Sequence, residues 1–217
     1  MLSAFERASE YLPVLLQGVW LTIAVTLLSL LISTVLGLIW AVMGRSNFLP
    51  FRVFSRTFIT VIRGLPIIVQ LFYIYFVLPE IGINLTAFQA GVFGMGIAYS
   101  AYQAENFRAG FEAIDRGQIE AAHSIGMKDS LILRRVILPQ AFRISLPPYG
   151  NTMIMMLKDS SLVSTITVAE LTRQGQLIAA STFDNMTVFS LVAVIYLLMA
   201  LPLTYLTHRL ERRYKKT

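Results

Sequence analysis

Cysteine is missing from all 217 residues, which excludes a disulfide framework, an iron–sulfur cluster and a thiolate zinc site. Histidine is scarce: His123 and His208 stand far apart, a poor basis for a metal site. No glycine is followed by lysine, so the loop that cradles nucleotide phosphates is absent. Whatever powers this chain, it does not bind ATP through such a loop of its own. Charge is thin as well. Only 14% of residues are charged against 56% hydrophobic, where soluble domains carry roughly 25% charged residues. A globule of this size has too little core to hide so much apolar surface. With a mean hydropathy of +0.66, the chain must meet lipid, which excludes both a soluble enzyme and a disordered chain.

What is present is a series of apolar runs. A spanning helix needs about 20 mostly apolar residues. Such runs lie between Glu10 and Arg45, from about Thr57 to Leu78 with Arg63 and Pro66 inside, and between Glu80 and Glu105. A fourth begins near Pro147 and passes Lys158 and Asp159 to roughly Val168, and the last lies between Asp184 and Arg209. The reading is an all-α, multi-pass membrane protein of about five spans, one transmembrane domain over 1–217. The opening residues Glu6, Arg7 and Glu10 are not a basic cluster, and the first run is too long for a signal peptide.

Basic residues orient the spans. Arg45, Arg52, Arg56 and Arg63 follow the first, and Arg108, Arg116, Lys128, Arg134, Arg135 and Arg143 follow the third. Arg209, Arg212, Arg213, Lys215 and Lys216 close the chain, whereas Arg7 and Arg173 stand alone in the other connections. The expected topology has the N-terminus outside and the C-terminus cytoplasmic. In the third span Ala90, Gly94 and Ala98 recur every four residues, a small-residue stripe that lets helices approach closely in lipid. It serves packing within the chain or a subunit interface.

Residues 105–146 break the membrane pattern. Ile119, Ala122 and Ile125 lie three apart, and Ala121 and Ile125 four apart, which predicts a short amphipathic helix with small residues on its surface. Gly126 stands where a helix end favours a left-handed residue. A second short helix, Asp129 to Ile137, is expected to stop at Pro139. An ordered helix pair on the cytoplasmic face reads as a docking surface for another protein, and a solvated charged loop is the plainer alternative.

The string Glu120-Ala121-Ala122, then Gly126, then Leu138-Pro139 resembles the EAA loop of ABC-transporter membrane subunits. Gly117-Gln118-Ile119, Ile125-Gly126-Met127, Arg63-Gly64-Leu65-Pro66 with Gln70-Leu71-Phe72, and Lys158-Asp159-Ser160-Ser161-Leu162 resemble its polar amino acid permease branch. The resemblance implies the type I importer permease fold, with a coupling helix between spans three and four in the segment 115–140. It implies a permease subunit of the histidine, glutamine or arginine importer kind, translocating polar amino acids in a bacterial cytoplasmic membrane. It further implies a second permease subunit (identical or a sister chain), two cytoplasmic ATPase subunits that hold ATP and magnesium, and an external solute-binding protein. Gln118, Glu120, Ala121, Ala122 and Gly126 would then form the ATPase contact. No catalytic residue, cofactor or metal ligand of the chain's own is expected.

Ionisable residues within spans cost about 2.5–3.5 kcal/mol on insertion scales and mark function by default. Lys158 and Asp159 are the clearest case. As neighbours they point about 100° apart on a helix, so both face one passage only if the helix breaks, which Ser160 and Ser161 would stabilise. A structural charge pair is the alternative. Glu105 and Asn106 end the third span, with Tyr102 one turn earlier. Glu105 either accepts a cargo ammonium or pairs with Arg108. Gln70, and Asn151 with Met155 at four-residue spacing, complete the candidate path. Arg63 reads as a headgroup anchor or, alternatively, a gating residue.

Two other classes remain open. An ion-coupled secondary transporter would carry acidic or histidine residues deep in its spans and an internal repeat; no repeat is visible and Asp159 is the only deep acid. The third reading is a structural subunit of a membrane complex.

Overall fold

The computed structural model describes residues 4–214, so Lys215 and Lys216 of the basic tail lie outside the described residues. Every regular element among the described residues is helical. Helix α1, Ala4–Gly44, runs 41 residues, about 60 Å at 1.5 Å per residue. This exceeds the roughly 30 Å of bilayer hydrocarbon. Helix α9, Asn185–Tyr214, is the other continuous apolar rod. These two are long and apolar enough to cross a membrane unaided.

The second expected span is not one helix. Helix α2, Leu49–Gly64, ends where Leu65 takes an extended conformation before Pro66, because the proline ring crowds the preceding residue out of the helical region. Helix α3, Ile67–Phe72, restarts after a bend of 103°. It continues as a π-helical turn, Tyr73–Val77, and a 3₁₀ turn, Leu78–Ile81. The helical stretch after the bend is Ile67–Ile81. Helix α2 is a separate piece whose outer face carries Phe48, Phe51, Phe54 and Val61 exposed.

Helix α4, Ala87–Glu112, is opened by a capping box in which Thr86 and Gln89 satisfy each other's backbone donors. Its small residues are spent within the chain. A Cβ on Gly94 would stand 2.7 Å from Leu71 of α3, and one on Gly96 would stand 2.7 Å from Ile32 of α1. The stripe therefore serves intramolecular packing, and α4 is the central helix against α1, α2, α3 and α7. Helices α5, Arg116–Ser124, and α6, Asp129–Ile132, form the expected elbow.

The predicted stop at Pro139 does not occur. A π-helical turn, Leu133–Ile137, leads straight into α7, Leu138–Asp159. Pro139 follows that π-helical turn inside a continuous helical run, so the irregular turn and not a helix end accommodates the missing N–H. The fourth span thus begins earlier than Pro147. As an α-helix it ends at Asp159, and Ser160–Ile166 continues as a 3₁₀ helix. Helix α8, Leu171–Thr182, precedes α9.

Helices α4 and α7 reach spanning length with 26 and 22 residues, which with α1, α9 and the bent α2–α3 pair is consistent with a reading of about five spans. Polar and charged residues interrupt both α4 and α7, among them Gln103, Glu105, Asn106, Arg108 and Glu112 in α4 and Arg143, Asn151, Lys158 and Asp159 in α7. Arg7 pairs with Asp184 at 3.2 Å, which places the start of α1 beside the α8–α9 connection. The other end of the bundle gathers Arg45, α2 and the elbow, with the Arg45 guanidinium 5.2 Å from the Phe111 ring centroid.

Candidate functional site

The elbow is built by its caps. Asp115 accepts a 2.6 Å hydrogen bond from the Gly117 amide and starts α5. At the other end Gly126 adopts φ +78. Its amide donates to the His123 carbonyl at 2.9 Å, and the Met127 amide donates to the Ala122 carbonyl at 3.1 Å. That paired pattern is the left-handed helix stop expected at this glycine. The Gln140 amide donates to Gln118 Oε1 at 2.6 Å, locking α5 to the start of α7. His123 lies 3.5 Å from Asp129 across the turn. The outward surface consists of Glu120, Ala121 and Ile125, the last 76% exposed. Ala122, expected on that surface, is buried within the chain, because the turn through Met127 folds back over its side of the helix.

Deeper in the bundle α4 and α7 meet through polar groups. The Tyr99 hydroxyl donates to Asp159 Oδ2 at 2.6 Å, where the α-helix gives way to the 3₁₀ segment. Ser160 donates to the Leu157 carbonyl at 2.7 Å and stabilises that change, as its position suggested. Ser161 is half-buried in the 3₁₀ turn. Lys158 is exposed and forms no ion pair among the described residues. Lys158 and Asp159 do not pair with each other among the described residues, since the roughly 100° step along a helix points them apart.

Toward the elbow end, Glu105 receives Arg108 at 2.6 Å and stands 3.8 Å from Arg63 of α2. Arg108 reaches on to Glu112 at 2.6 Å. The Arg63 guanidinium lies 5.4 Å from the Tyr102 ring centroid, so it turns inward onto α4. Arg63, Tyr102 and Glu105 line one cavity of about 890 Å³ between α1, α2 and α4.

Three of the candidate path residues hydrogen-bond to neighbouring elements. Gln70 donates to the Ile62 and Leu65 carbonyls at 2.9 and 3.0 Å, closing the broken end of α2. Asn106 donates to Gln103 Oε1 and Thr152 Oγ1 at 3.0 and 2.9 Å and so sits inside the α4–α7 contact. Asn151 donates to Glu211 at 3.3 Å and faces α9, while Met155 is exposed. Sequence reasoning missed Tyr99, whose ring vanished among small residues. It also missed Glu170. That carboxylate is fully buried, accepting from Tyr196 at 2.7 Å, the Arg173 amide at 2.9 Å and Thr22 at 3.3 Å. It caps α8 and ties α1 to α9.

The family described as binding-protein-dependent transport system inner membrane component matches residues 33–216. The chain belongs to that family. Among its relatives, the L-cystine transport system permease protein TcyB of Bacillus subtilis (strain 168) is 39% identical over 205 residues, covering 94% of this chain and 88% of the relative. The glutamine transport system permease protein GlnP of Escherichia coli (strain K12) is 40% identical over 206 residues, covering 94% of each. The crystal structure of an amino acid ABC transporter with histidines superposes with a TM-score of 0.92 at 41% identity, covering 98% of this chain and 100% of that one. The MetNI methionine ABC transporter in an inward-facing conformation, at 22% identity and a TM-score of 0.77, covering 93% of this chain and 96% of that one, shares the fold. The family places the chain among membrane permease components, with the all-α type I importer fold.

Proposed function

We propose that this chain is the membrane-spanning permease subunit of an ATP-driven importer of polar amino acids in a bacterial cytoplasmic membrane. It stands with its N-terminus outside and the elbow and C-terminus in the cytoplasm. The whole chain acts as one transmembrane domain, and 115–140 is its coupling segment. A second permease subunit completes the passage, an external solute-binding protein delivers cargo, and two ATPase subunits hold ATP and magnesium.

The observation that carries this reading is the elbow. Its two ends are fixed by the Asp115 cap and the left-handed Gly126, so a push on Glu120 and Ala121 moves a rigid body. Gln118 passes that movement to α7 through Gln140, and α7 ends at the Tyr99–Asp159 contact. Domain closure by ATPases would therefore shift a polar junction inside the bundle, a hinge-type conversion. The basic end of the bundle favours the cytoplasmic side on the charge rule for short connections. Asp159, Lys158 and Glu105 are the charged groups offered to a zwitterion, and Tyr102, Ser160 and Ser161 are polar groups beside them.

The test is reconstitution of the chain with a candidate ATPase and binding protein in liposomes. Stimulation of hydrolysis by the loaded binding protein, with uptake of a polar amino acid, is the expected result. Uptake by the isolated chain on a proton or sodium gradient would overturn it in favour of secondary transport. Neither response would leave a structural subunit.

A further inference from the structure

Two cavities lie on either side of the contact between Arg45 and Phe111. The one of about 890 Å³ carries five guanidiniums, including Arg45, Arg52 and Arg56, against the two carboxylates Glu105 and Glu112. Both carboxylates are occupied, since Arg108 holds each at 2.6 Å. Arg45, Arg52 and Arg56 form no ion pair among the described residues, so a strong positive field is left uncompensated. The second cavity, about 350 Å³, is a groove between α1, α4 and α7 walled by Leu38, Phe107, Phe111 and Phe142. Its far end is closed by the 2.9 Å hydrogen bond between Thr34 and Tyr149.

Arg45 joins them. Its guanidinium lies over Phe111, a wall of the groove, and Thr34 and Leu38, one turn apart on α1, line the same groove. Thr34 and Leu38 give the groove about 6 Å of wall along α1, at 1.5 Å per residue. Beside its mouth, Phe48 and Phe51 pack edge to face, 5.0 Å between centroids, on the exposed side of α2. Exposed aromatics with arginines on the opposite face are the marks of a helix lying in a membrane interface.

We propose that this joint site holds an anionic phospholipid, its phosphate on Arg45, Arg52 and Arg56 and one acyl chain in the α1–α4–α7 groove. A soluble anion would need the guanidiniums but not the apolar groove. A second copy of the chain would bring the same arginine-rich end, with Arg134, Arg135 and Arg143, against an already positive mouth. An anionic lipid matches both parts, since basic pockets between helices at the membrane surface recruit such headgroups.

The test uses the full chain in its purified transport complex, equilibrated in detergent with phosphatidylglycerol and phosphatidylcholine, the retained lipid being read by native mass spectrometry. Retention of phosphatidylglycerol is expected to exceed that of phosphatidylcholine by at least about tenfold. The triple variant R45Q/R52Q/R56Q is expected to lose that preference, and R45K/R52K/R56K to keep it, which separates lost charge from lost fold. Leu38→Trp, which fills the groove without touching the arginines, is expected to lower retention. Equal preference in the wild type and the glutamine variant would overturn the proposal. So would retention of glycerol phosphate as tight as that of the lipid, or efficient crosslinking between cysteines placed at position 38 of two copies. None of these readouts depends on cargo or ATPase activity, so failure here leaves the importer reading intact.

Discussion

Tyr99 donates its phenolic proton to Asp159 at 2.6 Å, and this bond spans the junction at which α7 changes from an α-helix to a 3₁₀ helix. Phe at position 99 would leave the carboxylate without that donor, at a cost of about 1–3 kcal/mol. Asparagine at position 159 keeps an oxygen to accept the bond while removing the charge. The expected outcome is that Asp159→Asn holds the thermal midpoint of the complex but lowers uptake, whereas Tyr99→Phe lowers both. Full uptake in Asp159→Asn would mean that Asp159 is a brace and does not meet cargo.

Gly126 at φ +78 is the stop on which the elbow depends. A β-branched residue there carries a left-handed strain of about 1–2 kcal/mol. Gly126→Val is expected to leave the membrane bundle folded but to uncouple ATP hydrolysis from uptake, measured together in liposomes. Normal coupled uptake would remove Gly126 from the transmission path.

Glu105 links α2 to α4 through Arg63 at 3.8 Å and Arg108 at 2.6 Å. These groups are partly exposed, so Glu105→Gln is expected to cost no more than about 1 kcal/mol of stability. The bond to Arg63 is the longer and weaker one, and a cargo ammonium would have to compete with both arginines. A change in KM for a cationic amino acid with an unchanged thermal midpoint is the expected result. A large loss of stability would assign the residue to architecture.

Gly94 faces Leu71 so closely that a Cβ would lie 2.7 Å from it. Overpacking of that kind costs about 1–3 kcal/mol. Gly94→Val is expected to lower the thermal midpoint and the yield of assembled complex, and Leu71→Ala in the same chain to restore part of it. No recovery in the double variant would place the constraint elsewhere.

Glu170 is an acceptor for three donors from α1, α8 and α9. Glu170→Ala strands those donors in a buried site, at about 1–3 kcal/mol. The thermal midpoint of the complex is expected to fall, with the α8–α9 end opening first to hydrogen exchange. Unchanged exchange there would show that the donors find other partners.

Much of this was legible in the residues. Apolar runs gave α1 and α9 directly, and the EAA string with its glycine gave the elbow, because a left-handed stop and a capped short helix are local properties. Pro66 marked a break but not its size, and Pro139 was misread as a stop. The difference lies in the π-helical turn just before Pro139, which accommodates the ring without ending the helix and lies in backbone hydrogen bonding that no side-chain pattern announces. Gln70, Asn106 and Asn151 looked like lumen residues by type and depth, yet each spends its amide on a neighbouring helix.

By itself the sequence determined that the chain lives in lipid, which end is basic, and where a rigid elbow interrupts the spans, since hydropathy, charge and helix caps act over a few residues. The tertiary structure alone decided that Asp159 meets Tyr99 and that the small-residue stripe packs inward. Those outcomes depend on how helices rotate and cross, and a contact between residues sixty positions apart has no local signature.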